Sequence, residues 1–254
     1  MKLQINDLQN FKVKQEKISC LTAYDYKTAQ ILDEAGIDLI LVGDSLANVF
    51  MGLDSTTKIG MKEMIHHTKA VAKGVSRAIL ISDLPFASYQ IALEEALYNS
   101  VKLIQCGADG VKLEGASDFK LEIIKRLKDI GIPCIGHLGY TPQSSLLLGM
   151  GRIQGKTEES AEKIFHEAKA LEKAGVEAVV LELIPSELAQ KITEHLKIPT
   201  IGIGAGIYCD GQVLVSDDML GKSPKVFNFV KKYADLNTIM KDAFINYIKD
   251  VKAQ

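Results

Sequence analysis

Short apolar runs alternate with longer segments of helical periodicity along most of the chain. The apolar runs are rich in β-branched residues and predict eight strands, near residues 18–22, 39–42, 79–82, 110–113, 133–136, 178–181, 199–203 and 212–215. The intervening segments have apolar positions three and four residues apart and predict helices near 25–35, 60–73, 90–105, 117–129, 157–173 and 186–195. Strands and helices that alternate in this way predict a parallel sheet.

A glycine recurs between a predicted helix and the strand that follows it, at Gly36, Gly107, Gly131 and Gly175. Glycine readily adopts the left-handed conformation that ends a helix, so these positions mark successive helix-to-strand turns. Eight strands between residues 18 and 215 favour a single (β/α)8 TIM barrel. An open, doubly wound sheet is the alternative.

Two segments break this alternation. Residues 138–156 form a long glycine-rich connection after the fifth strand, and loops of this length are usually functional, often as lids. Residues 222–254 are apolar and lysine-rich, with Val226 and Phe227 close together, and predict a C-terminal helical segment. This segment either closes the barrel or contacts another subunit. Because we find no linker sequence, we expect residues 1–254 to form one domain.

Composition narrows the class of protein. The 254 residues are 47% apolar and 24% charged, with a net charge of −2, which is enough apolar material for a full core. The balanced charge gives no support to a nucleic-acid partner, and the apolar runs are far shorter than the roughly 20 residues of a membrane helix. The beginning of the chain lacks the apolar stretch of a secretory signal, and four scattered cysteines are typical of reduced thiols. We expect a cytoplasmic protein.

Five consecutive predicted strands end in side chains that bind metals or transfer protons. These residues are Asp44, Asp83, Lys112 with Glu114, His137 and Glu182. In a (β/α)8 barrel the carboxyl ends of the strands line the active site. The sequence therefore predicts that these side chains gather at one mouth of the barrel.

The acids Asp44, Asp83 and Glu114 predict a metal site. Like charges gathered in a buried site need a cation to neutralise them, and oxygen ligands without cysteine favour Mg2+ over Mn2+ or Ca2+. The alternative is that Asp44 and Asp83 each cap the turn that follows its strand.

The other strand-end residues are open to two interpretations. Lys112 lies two residues before Glu114, so both point to the same face; Lys112 either pairs with the acids or holds a substrate carboxylate or keto oxygen. His137 is either a structural group or a site residue. Glu182 is distant in sequence from the acids, which suits a general base. The glycines of residues 202–206 form either a phosphate loop or a tight turn.

Seven blocks of sequence resemble the ketopantoate hydroxymethyltransferase (3-methyl-2-oxobutanoate hydroxymethyltransferase) family. They are TAYDY (22–26), AGIDLILVGDS (35–45), MIHHT (64–68), DLPF (83–86), VKLEG (111–115), GHLGYTPQ (136–143) and CDGQVLV (209–215). They occur in the family's order and at matching spacing, from about residue 10 to the end of the chain. The resemblance implies a barrel of the phosphoenolpyruvate mutase and isocitrate lyase type, assembled as a homo-oligomer, commonly a decamer.

The resemblance also implies a reaction. A one-carbon unit would pass from 5,10-methylenetetrahydrofolate to 3-methyl-2-oxobutanoate, giving 2-dehydropantoate on the route to pantothenate and coenzyme A. The keto acid would react as an enolate stabilised by Mg2+.

Specific residues take roles from the resemblance. Asp44 and Asp83 would bind Mg2+ directly, and Glu114 would be a further ligand, directly or through water. Glu182 would be the proton acceptor. The residues expected to contact the keto acid are Asp44, Ser45, Asp83, Lys112 and, as a strand-end group, His137.

The sequence departs from the family pattern at the rim. Tyr140 stands where leucine is usual, Ile207 and Tyr208 replace a Pro-His pair, and Ser216 replaces an aromatic residue. None of these is a metal ligand or the base, so we expect the chemistry to be unchanged and the folate contacts to differ.

Two other functions fit the same residues. One is a Mg2+-dependent lyase or mutase that acts on a 2-oxo or phosphoenol acid, and the glycine turn at 202–206 supports it. The other is a non-catalytic barrel that senses a keto acid, for which Glu182 would have no role.

Overall fold

The fold is a closed barrel of eight parallel strands, hydrogen-bonded in chain order, in a computed structural model that describes residues 1–223 and 227–253. The predicted barrel is confirmed, and the open sheet is excluded. The strands are β1 (Ile18–Thr22), β2 (Leu39–Val42), β3 (Ile79–Asp83), β4 (Gly110–Glu114), β5 (Cys134–Gly139), β6 (Ala178–Glu182), β7 (Thr200–Ile203) and β8 (Gly211–Leu214).

Helices connect the strands from β1 to β7, and the six predicted helices are present within a few residues of their expected ends. The helices are α1 (Asp7–Val13), α2 (Tyr26–Glu34), α3 (Leu46–Val49), α4 (Met61–Ala72), α5 (Leu93–Gln105), α6 (Asp118–Asp129), α7 (Ser145–Leu148), α8 (Glu158–Ala174), α9 (Ser186–His195), α10 (Ser216–Met219) and α11 (Leu236–Lys252). Two 3-10 turns, Thr56–Lys58 and Pro142–Ser144, lie in the connections after β2 and β5. The short helices had no periodic signal because a single turn is too brief to show one.

Alternation along the strands separates two apolar clusters. One set of strand residues, including Ile81, Ile135 and Val180, packs inside the barrel together with Leu8 of α1. Residues of the opposite phase, such as Val111 and other outward-facing side chains, pack under the surrounding helices. Successive side chains of a strand point to opposite faces, so each inner residue is followed two positions later by another inner residue.

This phase carries the polar strand ends into the barrel mouth. Asp83 lies two residues after Ile81, and His137 and Glu182 lie two residues after Ile135 and Val180 in the same way. The barrel interior is thus apolar below and ionisable at its carboxyl end. The prediction that the strand ends share one face follows from this periodicity.

The chain divides into two compact units, Met1–Val213 and Leu214–Gln254. Helices α10 and α11 belong to the second unit, and α11 lies within the predicted C-terminal helical segment. Val226 lies outside the described residues, and the expectation that 1–254 forms one domain stays a prediction. In the part of the chain that the structure describes, no helix combines the length and apolar character needed to cross a membrane.

Gly139 gives a test of how tightly β5 and β6 are packed. Its φ is +90°, and a Cβ there would lie 2.2 Å from the Glu182 carbonyl oxygen, whereas at Gly36, with φ +87°, a Cβ would meet nothing within 4 Å. We expect Gly36→Ala to destabilise the fold by about 1–2 kcal/mol through backbone strain alone. Gly139→Ala should destabilise it more, because the β6 backbone must move. Denaturant unfolding measures both, and equal losses would contradict the argument.

Candidate active site

Strand register brings the ionisable strand ends into pairs. Asp83 of β3 lies beside Lys112 of β4, and Glu114 lies beside His137 of β5. Lys112 Nζ is 3.1 Å from Asp83 Oδ1, and His137 Nδ1 is 3.5 Å from Glu114 Oε1. The pairing of Lys112 with an acid, one of its two predicted roles, is therefore present.

His137 lies between the acids and Glu182. Its Nδ1 is 3.4 Å from Lys112 Nζ, and its Nε2 is 3.2 Å from Glu182 Oε2, within ion-pair distance but without hydrogen-bond alignment. The register of β5 with β6 sets Glu182 opposite Gly139, two residues beyond His137. His137 is thus the link between Glu182 and the rest of the site.

Asp44 and Ser45 enter the site from the turn after β2. The Asp44 N–H donates to Asp83 Oδ2 at 3.0 Å, and the Ser45 hydroxyl hydrogen-bonds the Tyr24 hydroxyl at 2.8 Å. Asp83 therefore accepts a hydrogen bond from the turn at the end of the neighbouring strand β2. This contact joins two of the predicted metal ligands and goes beyond the capping of a local turn.

Gln143 is a site residue to which the sequence analysis assigned no role. Its side-chain Nε2 donates to Asp44 Oδ2 at 2.9 Å, and its backbone N–H donates to Glu114 Oε2 at 3.0 Å. It lies in the 3-10 turn Pro142–Ser144, and only its place in the GHLGYTPQ block marked it. An uncharged amide in a loop carries no signal of its own.

The acids and the lysine are buried, and their charges affect one another. Asp44, Asp83, Lys112 and Glu114 are each exposed by 5% or less. Burial raises the pKa of Asp44 to about 8, and the charges of Asp83 and Glu114 add to this effect. Burial opposes the charge on Lys112, but Asp83 and the other two acids outweigh it and raise the pKa of Lys112.

His137 is a second cation in the network. Burial and the charge of Lys112 lower its pKa, but the carboxylates of Glu114 and Glu182 outweigh them and raise it to about 9. With all its groups ionised, the network has four carboxylates, the fourth being Glu182, against two cations. Two negative charges remain, which is the charge that one divalent cation would neutralise.

Comparison with known proteins assigns the family. The model of the ketopantoate hydroxymethyltransferase family matches residues 2–254. The chain belongs to this family. The resemblance stated from the sequence blocks is confirmed.

Close relatives carry the corresponding enzyme name. The 3-methyl-2-oxobutanoate hydroxymethyltransferase of Thermoanaerobacter sp. (strain X514) is 54% identical over 250 residues, covering 96% of this chain and 90% of that protein. The enzyme of the same name from Carboxydothermus hydrogenoformans is 47% identical over 255 residues, covering 100% of this chain and 92% of that protein. The prediction that the chain is an enzyme is confirmed, which argues against the non-catalytic sensor.

Solved structures with low identity share the fold. The chain is similar to 2,3-dimethylmalate lyase, described as a PEP mutase/isocitrate lyase superfamily member, with a TM-score of 0.66, 15% identity and coverage of 98% and 86% of the two chains. It is also similar to phosphonopyruvate hydrolase in complex with oxalate and Mg++, with a TM-score of 0.64, 13% identity and coverage of 84% and 81%. These likenesses confirm the predicted barrel type. At such identities they give no support to a lyase or mutase activity.

The acids of this family member fit Mg2+ by chemistry and by charge. In residues 1–223 and 227–253, no group of three or more His, Cys, Asp and Glu side chains is arranged to hold a metal ion. However, Mg2+ commonly takes only one or two carboxylates and completes its shell with substrate and water. Asp83 Oδ1 and Glu114 Oε1 are buried without a hydrogen bond, and each lies in an ion pair, with Lys112 at 3.1 Å and with His137 at 3.5 Å. A metal ion would share these two oxygens with the two cations. The assignment of Asp44, Asp83 and Glu114 as ligands stays a prediction.

The four residues that depart from the family pattern have different surroundings. The backbone N–H of Gly151 hydrogen-bonds the hydroxyl of Tyr140, which ties the glycine-rich loop to the end of β5; leucine would make no such bond. Ile207 and Tyr208 are exposed, whereas Ser216 is buried. The change at Tyr140 therefore alters how the loop is held.

The glycine turn after β7 is closely packed against protein. A Cβ on Gly206 would lie 2.0 Å from the Ser186 hydroxyl, and Gln212 Nε2 donates to the Gly206 carbonyl at 2.9 Å. These contacts favour the tight turn over the phosphate loop.

The charge on His137 predicts a pH dependence of stability. Its pKa is about 9 in the folded protein and about 6.5 in the unfolded chain, so protonation stabilises the fold fully below about pH 6.5. This contribution disappears as the pH rises through about 9. The Tm difference between chelator-treated wild type and His137→Gln should therefore shrink across that range. A difference that does not vary with pH would contradict the ion pairing.

Proposed function

We propose that this enzyme transfers a hydroxymethyl group to 3-methyl-2-oxobutanoate with 5,10-methylenetetrahydrofolate as donor, giving 2-dehydropantoate in pantothenate and coenzyme A biosynthesis. The family membership and the names of the relatives support the keto acid and the transferred group. The folate donor and the enolate mechanism rest on the sequence resemblance. Glu182 removes the C3 proton. In the net reaction C3 bonds to the methylene carbon while both bonds from that carbon to the folate nitrogens break. Water supplies the hydroxyl, and the proton from C3 and one proton from water end on the two nitrogens, which releases tetrahydrofolate.

The exposure and position of Glu182 support its role as the base. Among the side chains of the ion pairs at the mouth it is the most exposed, at 15% against 6% or less for the others. It is separated from the acid cluster by His137, so it is free of the proposed metal ligands. A base must reach the substrate proton, and this accessible carboxylate is suited to do so.

Lys112 and the acids supply the electrostatics of the reaction. Bound Mg2+, held by Asp44 and Asp83 with Glu114 directly or through water, would stabilise the negative charge that develops on the keto oxygen. Lys112 remains cationic and attracts the carboxylate or keto oxygen of the substrate, with Ser45 and His137 as further substrate contacts. Asp44 and Asp83 thus serve both the metal and the bound keto acid.

The proposed enzyme is a homo-oligomer in the cytoplasm. The described residues of α11 expose a large apolar surface and none of them is buried. This surface supports the proposed homo-oligomer, for which the family resemblance suggests a decamer. A cytoplasmic location without nucleic-acid or membrane partners stays a prediction.

Proton exchange tests the base. With Mg2+ and no folate, the wild type should exchange the C3 proton of 3-methyl-2-oxobutanoate for deuterium from D2O, followed by NMR. Glu182→Gln should slow this exchange by about 10²- to 10⁴-fold, because a carboxamide cannot accept the proton. Glu187→Gln, which changes an exposed glutamate in the first turn of α9, is the matched control. If Glu182→Gln exchanges as fast as the wild type, Glu182 is not the base.

Metal removal tests the Mg2+ requirement. Both deuterium exchange and product formation should cease in excess chelator and return when Mg2+ is restored, because the keto oxygen then lacks its main source of charge stabilisation. Product formation at the full rate in excess chelator would remove the metal from the mechanism.

A further inference from the structure

Gln143 reaches from the loop after β5 to two acids at the barrel mouth. Its side chain is buried, with 6% of the residue exposed, although Leu146 and Leu147 of the same loop are exposed by 95% and 91%. The amide nitrogen donates to Asp44 Oδ2, and the backbone N–H donates to Glu114 Oε2. The loop as a whole is therefore not buried, and the burial of Gln143 reflects its own contacts.

The neighbours of Gln143 determine which way its amide faces. Its Nε2 also donates to the Leu84 carbonyl at 2.9 Å, and a carbonyl can only accept. Its Oε1 accepts from the Tyr89 hydroxyl and from Gln90 Nε2, both at 2.9 Å. The Tyr89 oxygen already accepts the Glu114 N–H at 3.1 Å, so its proton is directed to Gln143. If the amide were flipped, its oxygen would face the Leu84 carbonyl and its NH2 group would face the donors Tyr89 and Gln90. Because such pairings are unfavourable in a buried site, the NH2 group stays directed towards Asp44.

Gln143 thus engages one oxygen of each acid, with its side-chain amide at Asp44 and its backbone N–H at Glu114. Gln143 occupies Oδ2 of Asp44 and Oε2 of Glu114, and Glu114 Oε1 remains buried without a hydrogen bond. These hydrogen bonds restrict the rotamers of the two acids and leave the other oxygen of each acid without a bond from Gln143. Partners of this kind, one step removed from a metal, usually set the affinity of the site.

We propose that Gln143 is a positioning residue that orients Asp44 and Glu114 for divalent-cation binding. The inference rests on the proposed Mg2+-dependent function and adds to it a residue of the loop after β5. Gln143 acts through the two acids and has no contact with the substrate in this role.

Mg2+ titration of chelator-treated protein tests the proposal. Isothermal titration calorimetry with saturating 3-methyl-2-oxobutanoate should show that Gln143→Met weakens Mg2+ binding by about 10- to 100-fold. The KM for Mg2+ should rise in parallel, while kcat at saturating Mg2+ falls less. Gln105→Met is the matched control, since Gln105 is exposed at the end of α5, and it should bind Mg2+ like the wild type.

Separate outcomes distinguish the possible failures. If Gln143→Met lowers the Tm but leaves the Kd and KM for Mg2+ unchanged, Gln143 is merely structural and the inference is wrong. If that variant does not fold, Gln143→Asn keeps the amide and the backbone N–H but shortens the side chain by one methylene, so that the amide no longer reaches Asp44; weaker Mg2+ binding then supports the inference, and unchanged binding overturns it. If the wild type itself binds no Mg2+, the metal part of the proposed function fails first.

Discussion

The site depends on the mutual neutralisation of charges buried at the barrel mouth. An isolated ion is strongly unfavourable in such a place, so each charge needs a partner with good geometry. Lys112 forms an ion pair with Asp83, and His137 forms ion pairs with Glu114 and Glu182. Burial and the neighbouring carboxylates raise the pKa of Asp44. The carboxylates still outnumber the cations, and the proposed divalent cation would neutralise this excess. A loss of any one partner would disturb all the others.

Backbone register makes this neutralisation possible, because partners on different strands meet only when the strands are aligned. Close packing at Gly139 limits movement of β5 against β6, since a side-chain carbon there would overlap the Glu182 carbonyl. Beyond Glu182, Leu183 has a left-handed φ of +46°, held by the carbonyl of Ile203 and the N–H of Gln154. Left-handed conformations are unfavourable for leucine, and such strain is concentrated near functional sites.

The loop after β5 begins with a buried segment and has an exposed tip. Gln143 and Tyr140 are buried in this first segment. Gln143 contacts the acids, and Tyr140 contacts the backbone of Gly151 at the far side of the loop. Leu146 and Met150 at its tip are largely exposed. The buried start of the loop therefore belongs to the structure of the site, and the tip is the part that is exposed to solvent. This division refines the expectation, drawn from length and glycine content, that the whole connection is a lid.

The sequence by itself determined the barrel and the residues at its mouth. Period-two and helical patterns are local, so they predicted β3 and its neighbours nearly to the residue, and parallel strands oblige residues such as Asp83 and His137 to share one end. Only the tertiary structure decided which groups pair. Gln143 and Asp44 are 99 residues apart and meet through the curvature of the barrel, which no local pattern records. The charge of His137 was likewise undecided, because it depends on burial and on carboxylates from two other strands.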